Sequence, residues 1–151
     1  MRLRFDSEWP DRIPPMYIKV KKKVWQKLEP HWPKLRDFLV NHSFVWHEPG
    51  RQRWHLGWLR KDRPVEDFIN YMSSQGFKHH LIAWVDEDEL MSLRKHDGIK
   101  HQYHLRVFKD GEVRGHYEVS PEGGLIKHFF EKGMEERREE FMKMLGDWIT
   151  S

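Results

Sequence analysis

Apolar and polar residues alternate most cleanly in the stretch His101–Val119, where two such runs flank Lys109-Asp110-Gly111. That pattern predicts a β-hairpin. A two-residue Asp110-Gly111 loop would pair Val107 with Arg114 and Leu105 with His116, mixing apolar and charged residues on one face. A three-residue loop with Gly111 in the left-handed conformation pairs Val107 with Val113, Leu105 with Gly115 and Tyr103 with Tyr117. Only the second register gives one apolar face, because a one-residue slip turns every side chain over. Its other face sets Arg106 across from Arg114, His104 across from His116 and Gln102 across from Glu118.

The rest of the chain reads as follows. Leu3 and Phe5 alternate with Arg2 and Arg4, a short strand. Met16, Ile18 and Val20 alternate with Tyr17, Lys19 and Lys21, a strand with one basic face. Pro33 opens a helix carrying Leu35, Phe38 and Leu39 that ends near Asn41-His42. Phe44–Trp46 and Trp54–Trp58 read as strands around a Pro49-Gly50 turn, with Trp54, Leu56 and Trp58 on one face. Val65, Phe68, Ile69 and Met72 follow helical spacing after Pro64, and Gly76 stops that helix. His80–Val85 is apolar on both faces, which predicts a central strand covered on both sides.

Asp86–Glu89 followed by Leu90, Met91 and Leu93 predicts a short helix with acids in its first turn, ended by Asp97-Gly98. Ser120–Gly124 is a loop, and Leu125–Lys132 a short helix. Met134–Ile149 predicts a long amphipathic helix with Phe141, Met142, Leu145, Trp148 and Ile149 on its buried stripe. The order is roughly ββαββαβαββαα. It predicts a single α+β domain over residues 1–151, a largely antiparallel sheet with packed helices and a long C-terminal helix.

Composition adds bounds. At 151 residues with 8 Trp and 9 Phe, the chain can bury a real core despite 38% hydrophobic content. The net charge of +3 permits a polyanionic partner without requiring one. No cysteine is present, which excludes disulfides and thiolate metal sites and fits a reducing cytoplasm. The Glu, Lys and Arg content also fits a thermophile. No apolar run approaches the roughly 18 residues of a membrane span, and the N-terminus lacks a signal-peptide core. A cytoplasmic protein without a membrane partner is expected.

The candidate chemistry lies on the polar face of the hairpin. Like charges directly opposite repel, so Arg106 and Arg114 invite an anion or a neighbouring carboxylate. With His104 and His116 they form a candidate site for phosphate, and the first expected function is anion binding, with nucleic acid as the partner. Lys19, Lys21 and Lys23, interleaved with Tyr17 and Trp25, extend that reading to a second basic segment. Against it stands an ordinary solvated strand face balanced by Glu112 and Glu118.

The alternative is a metal- or His-dependent hydrolase acting on a phosphate-containing substrate. His104 and His116 are its general acid and base or its ligands, and Glu118 completes a metal set. A further ligand could come from His79, His80 or His101. No cofactor other than such a metal is expected, because phosphate-binding, nucleophile-elbow, EF-hand and zinc-finger signatures are missing. A third reading is homo-oligomerisation through the stripe of the C-terminal helix.

Overall fold

The hairpin forms in the three-residue-loop register. The computed structural model describes residues 15–44, 50–51, 53–79, 88–124 and 134–151. Strand β4 (His101–Phe108) pairs antiparallel with β5 (Glu112–Val119), setting Val107 opposite Val113, Tyr103 opposite Tyr117, Arg106 opposite Arg114 and His104 opposite His116. Gly111 takes φ +92°, and its N–H donates to the Phe108 carbonyl at 2.9 Å. That left-handed residue is what a three-residue loop demands.

Four further strands complete one antiparallel sheet: β1 (Trp54–Leu59), β2 (Lys78–His79), β3 (Glu89–Asp97) and β6 (Ile149–Thr150). Their order is β2-β3-β4-β5-β1-β6. Helix α3 (Val65–Ser74) and helix α4 (Arg138–Leu145) cover its apolar face. Phe68, Ile69 and Met72 of α3 and Phe141 and Leu145 of α4 meet Leu56, Met91, Leu93, Leu105, Val107 and Val113 there. The fold is α+β, as the interspersed strand and helix patterns predict.

The strand expected at Met16–Val20 is instead the start of a helix, α1 (Pro15–Leu28). The alternation there spans only five residues, while Met16, Val20, Val24 and Leu28 recur every four residues along the whole segment. The longer period is helical, and Pro15 at the first position suits a helix start. A 3₁₀ turn (Glu29–His31) leads into α2 (Trp32–Asn41), which carries Pro33 in its first turn as expected but has no buried side chain.

The short helix expected from Asp86 is strand β3 over its described part. Asp88 takes φ +65°, which breaks any helix there. Met91 and Leu93 then alternate with Ser92 and Arg94, and all four are buried. A strand satisfies both faces of that alternation, whereas a helix would scatter the two polar residues around its axis.

On β1, Trp54, Leu56 and Trp58 do not share one face as expected. The pairing with β5 shifts between His55 and Gly57, so Leu56 sits at a bulge. Leu56 is buried, while Trp54 and Trp58 are exposed.

The long C-terminal helix is shorter than its apolar stripe implies. Glu135 bridges Tyr117 through paired backbone hydrogen bonds of 2.8 Å, which holds that stretch extended. Helix α4 ends at Leu145, where Gly146 takes φ +57°; a 3₁₀ turn (Gly146–Trp148) and β6 follow. Phe141, Leu145 and Ile149 are buried in the chain's own core, with Met142 and Trp148 packed beside them. Three of the five stripe residues are thus buried within the chain, and Met142 and Trp148 are half-buried. The expected elements at Leu3–Phe5, Val45–Trp46, His80–Val85 and Leu125–Lys132 lie outside the described residues.

Candidate metal centre

Most of the polar face of β3, β4 and β5 is as inaccessible as the apolar one, with Arg114 half-buried at its edge. Ser92, Arg94, Gln102, His104, Arg106, His116 and Glu118 are all 3% exposed or less. The register determines which of them meet. Arg94 of β3 lies opposite His104 of β4, which lies opposite His116 of β5. Glu118, two residues along β5, stands on the same face and opposite Gln102.

His104, His116 and Glu118 bring one ligand atom each within 4.8 Å of one another. Nδ1 of His104 is 3.5 Å from one carboxylate oxygen of Glu118, and Nε2 of His116 is 3.1 Å from the other. The imidazole centroids are 4.9 Å apart. A tetrahedral zinc-type ion with bonds of about 2.0–2.2 Å places neighbouring ligand atoms roughly 3.3–3.6 Å apart, so a set within 4.8 Å would draw together slightly on binding one.

The groups behind these three orient them. Nε2 of His104 lies 2.6 Å from Ser92 Oγ. With the proton on Nε2 donated to that hydroxyl, Nδ1 turns a lone pair toward Glu118. Arg94 donates to Gln102 Oε1 at 3.2 Å, which fixes the amide so that Gln102 Nε2 donates to Glu118 Oε1 at 2.7 Å. Arg94 is itself ion-paired to Glu122 at 3.3 Å. His116 is wholly buried; its Nε2 faces Glu118, and its Nδ1 makes no hydrogen bond.

Burial, with Arg53 and Arg106 nearby, outweighs the Glu118 charge and pushes the His116 imidazole down to about 4. Burial likewise holds His104 well below the usual imidazole range. For Glu118, burial alone would raise the carboxyl, but the two imidazoles beside it hold it well below the usual carboxylate range. At neutral pH the three groups are therefore two neutral imidazoles and one carboxylate, the protonation states a metal ligand needs.

The two arginines of the hairpin do not join this centre as a pair. Arg106 Nη1 is 3.1 Å from Glu89 Oε2, with both side chains buried. Arg114 donates through Nε to Glu112 at 2.8 Å and through Nη1 to the carbonyls of Arg51 and Arg53 at 2.9 and 2.7 Å. The neighbouring carboxylate that an opposed arginine pair invites is thus present twice. Lys19 and Lys23 are exposed on α1, on a different element from the hairpin face, and Lys21 belongs to that same helix.

Ser92, Arg94 and Glu89 become neighbours of the His pair only because this segment is a strand, and the helix expected from Asp86 conceals that. The alternation Met91-Ser92-Leu93-Arg94 was the signal that could have placed them. Comparison with protein-family models, with curated proteins and with solved structures finds no match to the chain.

Proposed function

We propose that His104, His116 and Glu118 bind one divalent transition-metal ion of the zinc type, and that the chain is a metal-dependent hydrolase acting on a phosphate-containing substrate. The observation that carries the reading is the cluster itself: two buried imidazoles and one buried carboxylate offer ligand atoms within 4.8 Å of one another, with His116 Nε2 3.1 Å from Glu118. An ion held by all three would give each of these buried polar groups a strong partner, where burial without one is costly. Three protein ligands leave a position for water, whose pKa the ion lowers toward neutrality.

The nucleic-acid reading rests on Lys19, Lys21 and Lys23 together with the His/Arg face. Burial of Arg106 and both imidazoles counts against direct contact with a polyanion, and it equally requires the face to open before a phosphate substrate could reach a bound ion. The metal reading is favoured because the three ligand atoms cluster within 4.8 Å, which the nucleic-acid reading does not use.

Metal-stripped protein titrated with Zn²⁺ against a chromophoric chelator tests the proposal. One equivalent should bind, with His116→Ala and Glu118→Gln each losing it. The zinc-loaded protein should then hydrolyse a phosphomonoester or phosphodiester. Absence of stoichiometric binding sinks the metal site; binding without metal-dependent hydrolysis sinks the enzymatic part alone.

A further inference from the structure

Among the described residues no helix is long and apolar enough to cross a membrane. Against the expectation of no membrane partner, we propose that helix α1 is an interfacial docking helix that lies on an anionic lipid surface. Among the described residues, the large exposed apolar side chains are Met16, Val20, Val24, Leu28, Leu35, Phe38, Phe44, Trp54, Trp58 and Ile99, and the first seven belong to the segment 15–44. Met16 is 76% exposed, Val20 56% and Val24 50%. Scattered exposed apolar residues need no explanation, but a concentration of them marks a contact surface.

The pattern on α1 indicates what the surface contacts. Met16, Val20, Val24 and Leu28 recur every four residues and form a continuous stripe. Lys19, Lys23 and Lys27 each follow one of them by three residues, so an exposed row of lysines runs beside the apolar stripe. The helix holds five lysines in 14 residues and no acidic residue. Its length, about 21 Å at 1.5 Å per residue, is too short to cross a hydrocarbon core of about 30 Å. A helix of this composition lies in the plane of a bilayer instead, with aliphatic side chains at the acyl boundary and lysines among anionic headgroups.

Two other occupants fit less well. A nucleic acid would use the lysines but has no use for an aliphatic stripe of Met, Val and Leu, which neither pairs with phosphate nor stacks on bases. A second copy docked stripe to stripe would bring two lysine rows together with no carboxylate on either helix to receive them. The next helix and the turn after it add material suited to a headgroup layer. Phe38 and Phe44 are 51% and 62% exposed, with ring centroids 6.4 Å apart.

Co-sedimentation with phosphatidylcholine vesicles, with and without phosphatidylserine, tests this. Binding should require phosphatidylserine, weaken with added salt, and fall about fivefold for each lysine removed in Lys19→Gln and Lys23→Gln. Val20→Asp/Val24→Asp should abolish it while leaving the thermal melting curve unchanged, since both side chains are exposed. Equal binding to neutral vesicles, or none to either, overturns the proposal. Binding of duplex or single-stranded nucleic acid without vesicle binding overturns it in favour of a polynucleotide. Self-association in sedimentation that Val20→Asp/Val24→Asp removes, again without vesicle binding, overturns it in favour of a second copy.

Discussion

The hydroxyl of Ser92 stands 2.6 Å from Nε2 of His104, on the side of the ring away from Glu118. The hydroxyl can accept from Nε2–H, and in that arrangement Nδ1 is the unprotonated nitrogen that a metal would need. Outer-shell partners of this type are worth about 10–100-fold in affinity. Ser92→Ala is therefore expected to weaken Zn²⁺ binding by about that factor without abolishing it, whereas His104→Ala abolishes it. Chelator-competition titrations of the two variants make the comparison. An unchanged affinity in Ser92→Ala would remove the orienting role assigned to the hydroxyl.

Gly115 lies where β5 passes beneath Leu56 and Phe141. A Cβ there would come within 2.9 Å of Leu56 Cδ1 and 3.0 Å of the Phe141 ring. Both neighbours are fully buried, so neither can move aside freely. Gly115→Ala is expected to destabilise by about 1–3 kcal/mol through overpacking. The shift in the denaturant midpoint at constant slope measures it.

How far the sequence reveals this arrangement depends on how local the signal is. The β4–β5 hairpin was legible to the individual residue pair, because its turn chemistry and alternation admit one register with a single apolar face. Helix α3 was legible for the same reason, with Phe68, Ile69 and Met72 buried as their spacing predicts. The His104–His116–Glu118 grouping followed from that register.

What the pattern did not reveal is that this face is closed to solvent. Charged residues on a strand read as solvated unless partners from elsewhere are known, and here the partners Glu89, Arg94 and Ser92 come from β3. Strand β3 itself was hidden by four consecutive acids that mimic a helix start. Helix α1 was hidden by a brief alternation superimposed on a longer four-residue period.

Glu112 receives three donors: Arg51 at 2.6 Å, and His55 and Arg114 at 2.8 Å. Burial alone would raise its carboxyl, but these partners together hold it below the usual carboxylate range. A carboxyl depressed in the folded state contributes stability above its unfolded pKa, and loses it as pH falls through the folded value. Glu112→Gln should cost about 2 kcal/mol at neutral pH, the scale of hydrogen bonds to a charged group. The difference between wild type and variant should shrink as the pH drops below about 4.5. Melting temperatures of both proteins across that range provide the test, and a pH-independent difference contradicts the assignment.

Arg106 and Glu89 form a buried ion pair at 3.1 Å, with side-chain exposures of 1% and 4%. Removing one member of such a pair leaves the other charge in a low-dielectric setting and costs about 3–5 kcal/mol, while replacing both with apolar residues of similar volume is often neutral. Arg106→Ala is therefore expected to destabilise by about that amount, and Arg106→Met/Glu89→Leu to recover most of it. Arg114 faces Arg106 across the hairpin but is about a quarter exposed, with water available to Glu112 once it is gone. Arg114→Ala should cost less, on the order of 1–2 kcal/mol. Equilibrium denaturation of the three variants decides the ranking. Equal losses in Arg106→Ala and Arg114→Ala would mean that burial does not separate the two opposed arginines.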